Sequence, residues 1–136
     1  MKFAVLDDEP RYVSAIAAPL RARGYEVLAI AFTTAKTNGA NVAEITFFND
    51  DFASTAAMIK DFAPDFVFLD HKLVSGDAFS GQDMAVATGL LAQRLIGTSA
   101  DGKQPYCGYR MPIKKELLDF VGESLYEKFY EFVDSL

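Results

Sequence analysis

Apolar and polar positions along the chain fall into alternating blocks of two kinds. Phe3 to Leu6 is a short unbroken apolar run, the pattern of a strand covered on both faces. Three acids follow it, Asp7, Asp8 and Glu9, and then Pro10, which suits a first helical turn because its missing N–H would be unpaired there anyway. The helix predicted from Pro10 runs to about Arg23, and Gly24 ends it. "YEVLAIAF" is the next strand candidate, turn-rich "TTAKTNGAN" follows, and "EITFF" at 44–48 is again β-like. Two adjacent strands, or one strand with a long insertion, both satisfy this stretch. "DDFASTAAMIKDFA" reads as a helix with Asp50 or Asp51 at its N-cap and Pro64 closing it. "DFVFLD", 65–70, then repeats the opening design of an apolar strand with a terminal aspartate.

A glycine-containing loop, "HKLVSGDAFSG", leads to a helix predicted from about Gln82 to Gln93. "RLIGTSA" gives a short strand ending in hydroxyls, and "YCGYR" a last one. From Ile113 the pattern predicts one long amphipathic helix, with Leu117, Leu118, Val121, Leu125, Phe129, Phe132 and Val133 on its apolar side. The alternation of strands and helices favours an α/β fold, an open parallel sheet with helices on both faces.

Composition narrows the function classes. A chain of 136 residues, 51% hydrophobic and 24% charged, has the balance of a single domain spanning 1–136. The net charge of -6 argues against a nucleic-acid footprint, and the one dibasic pair, Lys114 and Lys115, is too small to reverse that. Those two lysines read as a solvated face at the start of the last helix. Cys107 is the single cysteine, which excludes an internal disulfide and a Cys-rich zinc site. With no signal-peptide pattern and no apolar run of roughly 18 residues, the expectation is a soluble, cytoplasmic protein that binds neither nucleic acid nor membrane.

In an open parallel sheet, ligands bind beyond the carboxyl ends of the strands. Asp7 and Asp8 follow the first strand, Asp70 follows a later one, and Thr98 and Ser99 follow a third, so all converge on one edge. Three carboxylates held close together resist full ionisation, and a hard divalent cation relieves that repulsion; Mg²⁺ takes a few carboxylates plus waters and phosphate oxygens.

"VLDDEP", "PDFVFLD", "GTSA" and "MPIKKELL", in that order, resemble the receiver domain of bacterial two-component response regulators over nearly the whole chain. The resemblance implies a flavodoxin-like fold with a five-stranded sheet. It also implies that Asp70 accepts a phosphoryl group from a sensor histidine kinase or phosphotransfer protein, with no turnover enzyme activity. Asp7, Asp8, Asp70 and the backbone carbonyl of Lys72 would hold Mg²⁺. Ser99, directly before Ala100, sits where the family has the Ser or Thr that hydrogen-bonds the phosphoryl group, and output would pass through a downstream protein partner.

The chain departs from the family at the end of its fifth strand, where receivers carry a Lys-Pro pair. Aligning on Pro112 puts Met111 at the lysine position and Arg110 one residue earlier. Arg110, if the strand carries a bulge, and Lys103, in the loop "SADGKQPY", are the two candidates to replace that lysine. Only eleven residues separate Ser99 from Met111, so the family's fourth helix is expected to be reduced or absent. The segments 32–43 and 70–81 are longer than usual. A pseudo-receiver, the same fold used as a phosphorylation-independent interaction module, is the alternative, and Met111 is the feature that favours it. His71, the only histidine, lacks partners for a metal site or triad and reads as a loop residue. Cys107 reads as packed core. Tyr126 and Tyr130, on the outer side of the last helix, are candidate partner anchors.

Overall fold

The apolar run at the start of the chain becomes the middle of a sheet. In the computed structural model, which describes residues 1–33, 45–48, 51–73, 79–99, 106–119 and 123–136, it forms β1 (Lys2–Asp7), with Phe3 to Leu6 all buried. On one side β1 pairs with β2 (Glu26–Ala31), which pairs with β3 (Ile45–Phe47); on the other it pairs with β4 (Phe66–Leu69), followed by β5 (Leu95–Gly97) and β6 (Tyr109–Arg110). All five pairings are parallel, in the order β3-β2-β1-β4-β5-β6. Among the described residues the sheet therefore has six strands rather than the expected five. The two β-like runs in 25–48 are adjacent strands, and Ile45, Thr46 and Phe47 add a short outer strand opposite Ala29, Ile30 and Ala31.

Strand side chains alternate between faces, and each face builds its own core. Phe3, Val5, Ala29, Ala31, Phe68 and Ile96 pack with residues of α1 (Pro10–Ala22), α4 (Lys115–Asp119) and α5 (Glu123–Asp134). Ala4, Leu6, Ile30, Val67, Leu69 and Leu95 pack with residues of α2 (Phe52–Phe62) and α3 (Gly81–Thr88). Helices thus cover both faces, as the alternation of elements requires. Among the described residues no helix is long and apolar enough to cross a membrane.

Local chemistry sets the helix ends. Pro10 opens α1. The Asp51 carboxylate accepts from the Ser54 N–H at 3.0 Å and caps α2. Ser80 and Asp83 form a reciprocal capping box on α3. That helix stops at Thr88, short of the expected Gln93, because Gly89 takes a left-handed conformation (φ 65°) that ends it; a 3-10 turn, Ala92–Arg94, leads into β5. Between β5 and β6 the described residues, 98–99 and 106–108, form no helix; 100–105 lie outside them.

The C-terminal helix expected from Ile113 begins at Lys115. Two helices, α4 and α5, are described there, and 120–122 lie outside the described residues. Leu118 is fully buried while Leu117 is 47% exposed, so the buried face of α4 runs through Lys115 and Leu118, three residues apart, and not through Leu117. Val121 and the Leu125 side chain also lie outside what is described. On α5, Phe129 and Val133 are fully buried, and Phe129 packs its ring 5.9 Å from Phe68. Tyr126 and Tyr130 are half-buried against the same core. Tyr130 donates its hydroxyl to the Pro19 carbonyl at 3.0 Å, and Arg23 stacks over its ring while pairing with Asp134 at 2.8 Å. Tyr130 thereby fastens α5 to α1, and Tyr126 lies beside it against the same core.

Phe129 closes the core between α5 and β4. Phe129→Ala is expected to lower unfolding free energy by about 3–5 kcal/mol, measured by urea denaturation, with the far-ultraviolet circular dichroism of the fold retained.

Candidate functional site

Strand register brings the polar strand ends together. Leu6 lies opposite Leu69, Leu69 opposite Gly97, and Gly97 opposite Arg110. One step further, Asp70 N–H donates to Leu6 O (3.1 Å), Thr98 N–H to Leu69 O (3.2 Å) and Met111 N–H to Gly97 O (3.0 Å). Asp7, Asp70, Thr98 and Met111 therefore form the next row across four neighbouring strands, at the carboxyl edge. Asp7 and Asp70 are buried, and Asp8 beside them is half-buried.

One carboxylate oxygen from each of Asp7, Asp8 and Asp70 lies within 4.8 Å of the others. Such a set of hard oxygen donors fits a small divalent cation. Asp7 accepts from the Glu9 N–H at 3.0 Å through Oδ1, and Asp70 from the His71 N–H at 3.0 Å through Oδ1. Their Oδ2 atoms both face Lys115.

Lys115 is the residue that sequence reasoning placed wrongly. It is not a solvated lysine: only 6% of it is exposed. Its Nζ lies 2.6 Å from Asp7 Oδ2 and 3.3 Å from Asp70 Oδ2, and 5.0 Å from the centre of the Tyr12 ring. The cause is geometric. Met111, in the place where a strand-end lysine was sought, is buried in the core shared with α1, α4 and α5. The chain then turns through 112–114, and the first residue of α4 aims its ammonium back over the carboxyl edge. A signal was present in the sequence: Lys115 stands three residues before Leu118, on the apolar face of a helix, where a lysine needs a charge partner.

Electrostatics follow from this crowding. Burial pushes the Asp7 carboxyl up, and its hydrogen bond with Asp8 and the charge of Asp70 push it further; Lys115 pulls the other way, and the outcome is about 8. Burial likewise raises Asp70, against the pull of Lys115 and of the His71 N–H. For Lys115, burial opposes the charge, but Asp7 and Asp70 outweigh it and hold the ammonium above its ordinary value. The cluster carries more negative than positive charge, and a proton at Asp7 makes up part of the difference.

The remaining sequence candidates are placed as follows. Ser99 is half-buried, and its backbone carbonyl accepts from Arg110 Nη2 at 3.4 Å. Arg110 is exposed at this edge without an ion pair to the three aspartates among those described. Lys103 lies outside the described residues. Lys72 is exposed and bridges to Ser80 in the segment after Asp70. Thr98, not Ser99, stands in the row with Asp70. It is 94% buried, given its 6% exposure, and its hydroxyl has no hydrogen-bond partner among the described residues. His71 places Nδ1 3.3 Å from the Tyr106 hydroxyl. Gly81 was read as a loop glycine, and here its backbone supports the site. Its N–H donates to His71 O at 2.6 Å, and a Cβ there would lie 2.5 Å from the Tyr106 hydroxyl and closer still to the Asp70 carbonyl. Cys107 is half-buried just before β6, and burial pushes its thiol up to about 11, so it is a poor nucleophile.

No protein-family model matches the chain, and no curated protein does. Solved structures do. The anti-anti-sigma factor PhyR from Bartonella quintana is similar at a TM-score of 0.54 and 17% identity, over 99% of this chain and 51% of that one. The chain thus spans about half the length of PhyR. The signal receiver domain of a putative Luxo repressor protein from Vibrio parahaemolyticus is similar at a TM-score of 0.51 and 14% identity, over 98% of this chain and 94% of that one. With its parallel sheet covered on both faces and its acidic strand ends on one edge, the chain has the receiver-like, flavodoxin-like fold that its ordered motifs resemble.

Proposed function

We propose that this chain is a response-regulator receiver that takes a phosphoryl group on Asp70 and signals through protein contacts. The observation that carries the reading is the convergence of Asp7, Asp8, Asp70 and Lys115 at the carboxyl edge of a receiver-like fold. The donor is a sensor histidine kinase or phosphotransfer protein, and the readout is a downstream protein partner. Transfer forms a bond between an Asp70 oxygen and phosphorus while the donor's bond to phosphorus breaks. Little covalent chemistry is asked of the protein, so positioning and charge stabilisation carry the step.

Each residue has a definite task. Asp7, Asp8 and Asp70 would hold Mg²⁺, with the Lys72 carbonyl as a further oxygen, and the ion when bound would offset charge on the transferring oxygens. Lys115 supplies the organic cation of the pocket, the part first sought in Lys103 or Arg110. The buried Thr98 hydroxyl, without a hydrogen-bond partner among the described residues, is the donor best placed for a phosphoryl oxygen: a buried hydroxyl left unpaired costs about 1–3 kcal/mol, a cost that an arriving acceptor removes. Ser99 is the secondary donor. Gly81 keeps the Asp70 backbone in place.

A second reading, the pseudo-receiver, is favoured by one observation: Lys115 already gives Asp7 and Asp70 a cationic partner, so the pocket is balanced in part without Mg²⁺.

Incubation with acetyl phosphate and Mg²⁺, followed by intact-mass analysis, separates the two. The wild type is expected to gain one phosphoryl mass in a Mg²⁺-dependent way and Asp70→Asn to gain none; an unchanged wild type, under conditions that label an ordinary receiver, selects the pseudo-receiver. In the same assay Thr98→Val is expected to slow labelling by about tenfold or more, and Ser99→Ala by less. The reverse order would return the donor role to Ser99.

The proton held at Asp7 gives a stability profile with a fixed sign. Its folded value near 8 exceeds its ordinary 3.8, so between these limits the folded state binds a proton that the unfolded chain has lost, and stability falls as pH rises through that window. In metal-free buffer, Tm is expected to drop between about pH 5 and about pH 8, and Asp7→Asn to flatten the slope. A wild-type Tm that is flat or rising over this window would contradict the assignment.

A further inference from the structure

We infer that a notch at the amino edge of the sheet is a docking site for an acidic segment of a partner protein, which seats one aliphatic or aromatic side chain there and pairs its carboxylates with Lys60 and Arg94. The notch shares no residue with the aspartate cluster, so it serves a phosphorylated receiver and a pseudo-receiver alike.

It lies where two helices return the chain to the sheet. After α2 the chain passes through Ala63 and Pro64 into β4, and after α3 it passes through Gly89 and the 3-10 turn into β5. Both turns sit at strand starts, so the four residues of β4, about 13 Å of strand, separate them from Asp70. Between the turns is a cavity of about 280 Å³, just under the roughly 300–1,000 Å³ of small-molecule sites. That is room for a side chain rather than for a nucleotide-sized ligand. The floor is apolar: Ile59 and Pro64 are buried and Leu90 is half-buried. The early stop of α3 leaves Leu90 and Leu91 outside the helix, and Leu91, 59% exposed, completes the apolar lining. Thr88 adds no free donor, because its hydroxyl donates back to Met84 O and Ala85 O.

Charge selects the occupant. The chain carries a net charge of -6, yet no acid lines this cavity, whereas Lys60 and Arg94 do. Both are exposed, and neither has an ion pair among the described residues, although Lys2, Arg11, Arg23 and Lys115 each have one. Two unpaired cations beside an apolar hollow complement a segment in which acids flank an apolar residue. A simple organic anion fits less well. Both helices end here, and the last carbonyls of a helix have no partner within it and carry partial negative charge. A peptide brings N–H donors to such carbonyls, and a fatty acid brings none. The neighbouring hollow beside α3, lined by Phe52, Phe79 and Val86, is apolar too, but it carries Asp83 and no cation, so nothing there selects a partner.

The test is selection of a random peptide library displayed on phage against the immobilised protein, followed by NMR titration of the isotope-labelled protein with the recovered peptide made synthetically. Enrichment of peptides with an aliphatic or aromatic residue flanked by Asp or Glu is expected. The synthetic peptide is expected to shift the amides of Ile59, Lys60, Ala63, Leu90, Leu91 and Arg94. Lys60→Glu combined with Arg94→Glu is expected to weaken its binding by about tenfold or more. Lys114→Glu combined with Lys128→Glu, the same change of charge on exposed residues elsewhere, is expected to leave binding within about twofold. A library that yields no such peptide overturns the inference, as do shifts that fall outside the notch or equal weakening in the two double variants. Octanoate that shifts the same amides as strongly as the peptide overturns the choice of a protein segment as occupant. The wild-type mapping decides the matter even if a variant fails to fold.

Discussion

Two carboxylates cannot be buried next to each other at the end of a sheet without positive charge to meet them. Asp7 and Asp70 are placed side by side by strand register alone, and both are removed from water. Lys115 meets them from outside the sheet. Removing one partner of such a group leaves an uncompensated buried charge, whose penalty is larger than the net worth of the pairing. The position of α4, the protonation of Asp7 and the shape of the carboxyl edge all follow from how that charge is balanced.

The rest of the fold serves to hold this edge in place. Alternating side chains on β1, β2, β4 and β5 fill one core with α1, α4 and α5 and another with α2 and α3. Since the two cores grip the same strands from opposite faces, the strands cannot slip by one residue without exchanging every core side chain with the other face. The register that puts Asp7, Asp70 and Thr98 in one row is thereby locked. Gly81 lies close against the Asp70 carbonyl, and the capping box of α3 fixes the helix start at that point. Among the described residues the buried hydroxyl of Thr98 has no hydrogen-bond partner.

Much of this was legible in the sequence, because it depends on local pattern. Short apolar runs ending in acids, Pro10 and Asp51 at helix starts, and Gly24 at a helix end all carry their meaning within a few residues. The order of the elements then implied the parallel sheet and the acidic edge. What escaped depended on longer geometry. Lys115 was overlooked because the lysine was sought beside Pro112, whereas the chain supplies it after a further turn, from a helix. Its neighbour Lys114 is exposed, so the pair looks like a solvated patch, and only the spacing to Leu118 separates them. Thr98 was passed over for Ser99 because adjacency to Ala100 was weighed above strand register, which cannot be counted before the pairing is known. The strand count stayed open for a related reason: the β-like run at 44–48 reads the same whether it pairs as a strand of its own, as Ile45–Phe47 does, or belongs to an insertion.

The account stands on Asp7, Asp8, Asp70 and Lys115 acting as one site at the carboxyl edge. A crystal structure of the protein with Mg²⁺ and beryllofluoride tests this most directly. The account predicts beryllofluoride on Asp70, Mg²⁺ among Asp7, Asp8 and Asp70, and the Lys115 ammonium gone from Asp7 Oδ2 and hydrogen-bonded to a fluorine. Lys115 still paired with Asp7, beside a bare Asp70, would contradict it.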